Sequence, residues 1–115
     1  MREPTFLVLT ALAGEPRHGY AVIEDVAAMT ADRVRLRAGT LYAALDRLRS
    51  DGLIEVEREE IVQSRLRRYY KLTAAGEQSL AAETARLRTQ AAIAEERLRA
   101  RGIAFGDTAF GGATA

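Results

Sequence analysis

The C-terminal part of the chain carries one long helical pattern, and its length limits the folds that this sequence can adopt. Thr73 is a favourable N-cap residue, Glu77 adds an acidic group to the first turn, and the pattern continues to about Arg101. At the helical rise this segment spans ~40 Å, which is more than a domain of this size can cover. We therefore expect the helix to pack against a second copy of the chain.

The expected contact between the two copies is a seam whose residues are spaced alternately four and three apart, as in a coiled coil. Alanines and one threonine predict a weak, close-packed seam. Packing of the helix against its own domain is the alternative. The seam consists of Leu80, Thr84, Leu87, Ala91, Ala94 and Leu98.

Three shorter helices are predicted before the long one. The first begins at Pro4, since proline is favoured at the start of a helix, and ends at Gly14. The second covers residues 20–29. The third covers residues 41–50, after an opening at 38–40, and its leucines recur at the spacing of one buried face. These leucines are Leu41, Leu45 and Leu48.

Alternating patterns between and after these helices predict strands. A short strand is expected at Arg33–Arg37, and a hairpin at residues 53–58 and 66–72, with a long polar tip at 59–65. Tyr70 should face the core together with Leu66 and Leu72. We predict a mainly α (α+β) winged helix-turn-helix domain over residues 1–73, a dimerisation helix over 74–101 and a disordered tail over 102–115.

The net charge of +1 hides an uneven distribution. Residues 33–71 contain nine arginines and one lysine against six acidic residues, which gives a balance of +4. Such an electropositive segment is expected where a protein meets a polyanion, although a solvated charged surface would look the same.

Composition excludes several classes of protein. The chain has no cysteine and only one histidine, His18, so we expect no disulfide, metal site or cofactor. No nucleophile and base arrangement accompanies His18, so we expect no enzyme activity. The apolar runs are too short to span a membrane and no signal peptide is evident, which predicts a cytoplasmic protein.

Several short motifs occur in an order that resembles the PadR-like family of transcriptional regulators, over about residues 5–80. The matching segments are Leu7-Val8-Leu9 with Leu12, His18-Gly19-Tyr20, Gly39-Thr40-Leu41-Tyr42, Leu45 with Leu48, Asp51-Gly52-Leu53-Ile54, and Arg67-Arg68-Tyr69-Tyr70-Lys71-Leu72-Thr73 with Gly76. The resemblance implies a cytoplasmic homodimer, usually a repressor, joined by its C-terminal helical part. A single last helix resembles the short-form members.

Three features depart from the family pattern. The position before Gly39 is often proline and is Ala38 here, and the segment Ile61–Arg65 lacks the glycines that are common in the wing. Some short-form relatives bind flat aromatic compounds between tryptophans. This chain has no tryptophan, so that mode of binding is not carried over.

The resemblance and the order of elements together predict contacts with double-stranded DNA, because the last of the three helices enters the major groove in helix-turn-helix proteins. Thr40 could be an N-cap or a base contact, Tyr20 could contact DNA or be buried, and His18 could fix the loop or contact a phosphate. The predicted DNA-contacting residues are His18, Tyr20, Arg35, Arg37, Gly39, Thr40, Tyr42, Ala43, Arg47, Arg65, Arg67 and Arg68.

These observations predict a sequence-specific DNA-binding regulator, a repressor that acts as a homodimer on a two-fold operator. A small hydrophobic or aromatic effector could release it, from a pocket between subunits formed by Phe6, Val8, Leu87 and Ala91. The alternative is a winged-helix module that binds another protein and not DNA.

Overall fold

The computed structural model describes residues 1–105, and these residues have the mainly helical winged helix-turn-helix architecture that the sequence predicts. Contacts divide the chain into two compact units, Met1–Glu83 and one that begins at Thr84. The three strands form one antiparallel sheet in the order β1-β3-β2. In chain order the elements are α1 (Glu3–Gly14), β1 (Arg17–His18), α2 (Gly19–Met29), α3 (Ala38–Ser50), β2 (Ile54–Val62), β3 (Arg65–Leu72) and α4 (Ala74–Ala100).

The core of the first unit is formed by α1, α2, α3 and one face of the sheet. The predicted leucine face of α3 is confirmed, since Leu41, Leu45 and Leu48 are all buried. Tyr70 is the inward tyrosine, as predicted, with 4% of its surface exposed. Burial of one face of α3 leaves the opposite face of this helix free for a partner.

The predicted strand at Arg33–Arg37 is wrong, because this segment has no strand partner. The place beside β3 is taken instead by β1, in which Arg17 lies opposite Tyr70. The alternation in residues 33–37 has another cause, since Val34 and Leu36 pack against the core from an irregular segment. Side-chain packing alone can therefore produce a strand-like pattern.

The hairpin is longer and its turn is tighter than predicted. The segment 59–65, expected to be the tip, is mostly paired strand, and only Gln63 and Ser64 form the turn. Both have positive φ angles, 52° and 66°, as a two-residue type I′ hairpin turn requires. Leu66 was predicted to face the core but is 57% exposed, because the hairpin extends past the core at this point.

Thr73 is the predicted N-cap of α4, and the structure confirms it. Its hydroxyl oxygen accepts a hydrogen bond from the Gly76 N–H at 3.0 Å and donates to the Gly52 carbonyl at 2.7 Å. The Thr73 N–H donates to the Leu53 carbonyl at 3.0 Å. A Cβ atom on Gly76 would overlap that same carbonyl oxygen, so the close approach of the two backbones requires glycine here.

The second unit contains the rest of α4, which runs to Ala100 nearly as predicted. Its apolar side chains are substantially exposed, with 38% of Leu87, 44% of Ile93 and 39% of Leu98 accessible. Leu80, in the first unit, is partly buried against the core of its own domain, a contact that the predicted seam does not include.

The sequence predicts a disordered tail at 102–115. Residues 106–115 of this segment lie outside the described part of the chain. None of the helices within residues 1–105 combines the length and the hydropathy that crossing a bilayer requires.

Candidate nucleic-acid interface

The solvent-facing side of α3 has the spacing of a helix that lies in a groove. Four exposed residues opposite the leucine face follow each other at i, i+3, i+4 and i+7, the spacing with which homeodomain recognition helices contact base edges. We call these four residues the outer face of α3. They are Gly39, Tyr42, Ala43 and Asp46.

Tyr42 projects from this face and packs across the start of α2. A Cβ atom on Gly19 would lie 2.8 Å from the Tyr42 Cζ, so the ring occupies the space that a side chain would need. The Tyr42 ring is still 48% exposed, and Tyr20 nearby is 63% exposed. Of the two alternatives for Tyr20, the structure excludes burial within its own domain. Both phenol groups are thus available on one surface.

His18 has the structural role that the sequence allowed for it. Its Nδ1 atom accepts a hydrogen bond from the Ala21 N–H at 3.3 Å, which caps α2. Its ring meets the ring of Tyr69 edge-on, with centroids 5.3 Å apart. Partial burial, with a smaller contribution from the positive charge of Arg67, lowers the pKa of His18 below its usual 6.5. The neutral ring that can accept the capping hydrogen bond is therefore the favoured form.

An open cleft lies between the starts of α2 and α3 and the hairpin of β2 and β3, which is the wing of the fold. The cleft gathers six of the predicted DNA-contacting residues on one flank of α3. These are His18, Tyr20, Tyr42, Arg65, Arg67 and Arg68.

The basic side chains of the wing differ in how far they are neutralised by the protein itself. Arg68 donates from its Nε atom to Glu59 at 2.8 Å across the hairpin. Within residues 1–105, Arg65 and Arg67 have no carboxylate at ion-pair distance. Arg65 and Arg67 of β3 therefore carry positive charge on the wing that the described part of the protein does not itself neutralise.

A second group of predicted residues lies on the other flank of α3, beside the start of α1. There Thr40, Ala43 and Arg47 line a shallow cleft, and an Arg47 guanidinium nitrogen lies 3.4 Å from the Thr5 hydroxyl. Thr40 is not the N-cap of α3, since the helix begins at Ala38 and has no side-chain cap. This excludes one of the two roles that the sequence left open for Thr40.

The remaining predicted residues lie before α3 or in its first turn. Arg35 is exposed and pairs with Asp32 at 3.0 Å, and Arg37 is exposed at the N-cap position of α3. Gly39 has no neighbour within 4 Å of where a Cβ atom would lie. The first turn of α3 is therefore sterically open.

Sequence reasoning missed two features of this surface. Asp46 is not among the residues predicted to contact DNA, yet it lines the same cleft as Arg65 and Arg67. Ile61 and Leu66 form a cross-strand pair near the wing tip and are 76% and 57% exposed. The helical spacing of Asp46 from Tyr42 could have placed Asp46 on the same side of α3, whereas its position beside the wing and the exposed apolar pair depend on how the hairpin folds.

The structure contradicts the predicted place of Val8, one of the four residues of the expected effector pocket. Val8 is 1% exposed and belongs to the core of the first unit, so it cannot line a cavity between subunits. The prediction placed it there because it is an apolar residue on α1, but the structure turns it inward. Within residues 1–105, no cluster of three or more side chains is arranged to hold a metal ion.

Comparison with known proteins gives matches to one family, both by sequence and by structure. The family model of the PadR-like transcriptional regulators matches residues 8–82. A PadR family regulator from Eggerthella lenta is 28% identical, with a TM-score of 0.68 and 83% of each chain covered. One from Clostridium difficile is 26% identical, with a TM-score of 0.65, covering 82% of this chain and 96% of that one.

Two further matches cover less of the other protein. Bacillus subtilis PadR, in a structure with operator DNA, is 21% identical with a TM-score of 0.65, covering 72% of this chain and 48% of that chain. At this identity the likeness shows the fold alone. An uncharacterized protein of Lysinibacillus sphaericus is 26% identical over 70 residues, which are 61% of this chain and 64% of that relative. The chain thus spans less than two thirds of that relative's length.

Proposed function

The chain belongs to the PadR-like family of transcriptional regulators, and we propose that it binds a two-fold DNA operator as a homodimer and represses transcription. The observation that carries this proposal is the surface on which Tyr42 of α3 and Arg65 and Arg67 of β3 line one cleft. The DNA complex of Bacillus subtilis PadR supports the proposal by analogy of fold.

The outer face of α3 suits close approach to base edges. A helix with its side chains is ~10–12 Å wide, and the major groove of B-DNA is ~12 Å wide. Gly39 and Ala43 carry little or no side chain and are exposed, so the α3 backbone can lie deep in the groove. Tyr42 and Thr40 lie beside these two small residues and are candidate contacts to bases or phosphates.

Contacts with phosphates are proposed on both flanks of α3. On the wing side, Arg65 and Arg67 can bind phosphates without first breaking an internal ion pair, whereas Arg68 would have to leave Glu59. On the other side, Arg47 lies near the start of α1, where the helix dipole also favours an anion. Release of counterions from the neutralised phosphates would supply much of the affinity.

Dimerisation through α4 is proposed because its second half exposes a regular apolar row. Leu87 and Leu98 are more than one third exposed, and the intervening Ala91 and Ala94 are small enough for two helices to approach closely. Burial of such a row against a second copy removes apolar area from water. We expect Leu87→Arg to shift the protein towards monomer in sedimentation velocity. Thr89→Arg, on the side of α4 away from the row, should leave the dimer intact.

Release by a small hydrophobic or aromatic effector is a further part of the proposal. A ligand changes the DNA-bound population only if it binds one state more tightly than the other. Leu87 and Ala91 offer apolar surface for such a pocket in a dimer, but the chain has no tryptophan for aromatic stacking. Compounds that raise the melting temperature of the protein and also lower its DNA affinity would support this part.

The experiment that tests the proposal is selection of DNA from a random pool by the purified protein. We expect enrichment of a two-fold sequence whose half-sites lie about one helical turn, ~34 Å, apart. Tyr42→Ala should weaken binding to the selected site, while Arg86→Ala on α4 serves as a control. A pool that shows no enrichment after repeated rounds would contradict the proposal.

A second function, binding of another protein through the winged helix, follows from the exposed apolar pair at the wing tip. Ile61 and Leu66 are both more than half exposed, and apolar surface of this kind also suits a protein partner. If replacement of Thr40, Tyr42 and Arg47 changed no DNA binding but abolished binding of a protein partner, this second function would be favoured.

A further inference from the structure

Asp46 is an acidic residue on a surface whose neighbouring charged residues are basic. It belongs to the outer face of α3 and lines the same cleft as Arg65, Arg67 and Arg68. A carboxylate at this place repels phosphates, so it weakens contact with the DNA backbone. A surface that only needed to attract DNA would gain from an uncharged or basic side chain at this position.

The fold itself does not need a carboxylate at position 46. Asp46 is exposed, lies in the middle of α3 and caps neither end of the helix. Across the described part of the chain, its carboxylate forms neither a salt bridge nor a hydrogen bond. Packing, capping and internal ion pairing therefore all fail to explain this residue.

The position of Asp46 on the helix is that of a base-contacting residue. It follows Tyr42 by four residues and Ala43 by three, so the three side chains project from one side of α3. Ala43 between them is too small to hold the helix away from the groove floor. If α3 enters the major groove with this side towards the bases, the Asp46 carboxylate comes within reach of base edges.

The chemistry of the major groove determines which base a carboxylate can accept. An ionised carboxylate only accepts hydrogen bonds. Guanine presents two acceptors there, thymine presents an acceptor and a methyl group, and adenine presents its amino donor beside the N7 acceptor. Cytosine alone presents an amino donor with no neighbouring acceptor to repel the carboxylate.

We propose that the Asp46 carboxylate accepts a hydrogen bond from the N4 amino group of one cytosine in each operator half-site and thereby selects cytosine at that position. This inference rests on the proposed function, since it requires α3 to lie in the major groove. It assigns Asp46 a role in specificity, whereas Arg65 and Arg67 supply affinity that is independent of sequence.

The experiment compares base preference in the wild-type protein, Asp46→Ala and Asp51→Ala. Asp51 is an exposed acid at the C-terminal end of the same helix, so its variant removes the same charge outside the outer face. Operators are first selected with the wild-type protein. Each half-site position is then replaced by all four bases, and the dissociation constants are measured at one salt concentration.

We expect the wild-type protein and Asp51→Ala to prefer cytosine at one half-site position by roughly fivefold to a hundredfold, the range of one good base contact. Asp46→Ala should lose this preference and bind the four bases at that position within about twofold of each other. Asp46→Asn should instead favour adenine there, because an amide can donate to N7 and accept from N6.

Two outcomes would overturn the inference in distinguishable ways. If Asp46→Ala and Asp51→Ala both raise affinity for all four bases by a common factor, Asp46 is only a repulsive surface charge, and the proposed function stands without it. If the wild-type protein selects no two-fold sequence at all, the proposed function fails and this inference fails with it. Circular dichroism of each variant excludes loss of folding as the cause.

Discussion

Gly76 offers a direct test of the backbone contact between the start of α4 and Leu53, the residue before β2. Alanine is a better helix former than glycine by up to ~1 kcal/mol, so propensity alone predicts that Gly76→Ala stabilises the protein. The structure predicts the opposite, since the new Cβ atom would overlap the Leu53 carbonyl oxygen. The Leu53 carbonyl accepts from the Thr73 N–H, and the Gly76 N–H donates to the Thr73 hydroxyl. Neither backbone segment can therefore shift without weakening a hydrogen bond.

The size of the effect follows from three contributions. Forcing an extra carbon into a packed contact costs ~1–3 kcal/mol. Separation of the two backbones also weakens the hydrogen bond from the Thr73 N–H to the Leu53 carbonyl, at a cost of ~0.5–1.5 kcal/mol. After a gain of ~1 kcal/mol in helix propensity is subtracted, the net destabilisation is about 0.5–3.5 kcal/mol. For a domain of this size each kcal/mol lowers the melting temperature by ~4–8 °C.

The matched control is Gly39→Ala, which makes the same substitution in the first turn of α3. Nothing lies within 4 Å of a Cβ atom at Gly39, so this variant should be stabilised by up to ~1 kcal/mol. Thermal and urea denaturation followed by circular dichroism, at one protein concentration, measures both variants. A stabilised Gly76→Ala protein would refute the reasoning, because the overlap with Leu53 would then cost nothing.

Three further predictions concern the first unit. Leu45→Ala leaves a cavity in the core and should cost ~2–5 kcal/mol in urea denaturation, where a loss below about 1 kcal/mol would contradict the burial of Leu45. Thr73→Ala removes the cap of α4 and should cost ~0.5–2 kcal/mol by the same assay, an expectation that unchanged stability would refute. The contribution of His18 is fully present above pH 6.5 and is lost as the pH falls through the lowered folded-state pKa, because protonated Nδ1 cannot accept from the Ala21 N–H. Stability curves between pH 8 and 5 should show this loss in the wild-type protein, and an equal loss in His18→Asn would contradict it.

The helices of this chain are predictable from sequence because local signals agree with tertiary packing. The leucine spacing in α3, the stop at Gly52 and the cap at Thr73 each have a local cause, and all three are present in the structure. The boundaries of α4 follow for the same reason. Where propensity, capping and burial all favour the same conformation, the helix boundaries depend little on long-range contacts.

The sheet is less predictable because its pairing is decided by contacts distant in sequence. Arg17 and His18 show no strand pattern in the sequence, yet they pair with β3 as the edge strand of the sheet. Gln63 and Ser64 form the wing turn although neither is glycine, so the usual sequence signal of a tight hairpin turn is absent. Cross-strand pairs such as Glu59 with Arg68 then extend the hairpin through residues that resembled a polar loop.

The candidate site also contains residues that local sequence features predict and contacts that depend on the tertiary fold. The sequence identifies Tyr42 and the basic wing, because a helix face and a charge excess are local features. It does not show that Glu59 neutralises Arg68, nor that Asp46 shares a cleft with Arg65, since both depend on how the wing folds back towards α3.

The measurement that tests the central claim most directly is the salt dependence of operator binding. We expect the logarithm of the association constant to fall linearly and steeply with the logarithm of salt concentration, with a slope that Arg67→Ala reduces by about one unit. Arg86→Ala, which removes the same charge from α4, should leave the slope unchanged. Binding that is independent of salt, or a slope that both variants change equally, would contradict the claim that the wing arginines bind DNA phosphates.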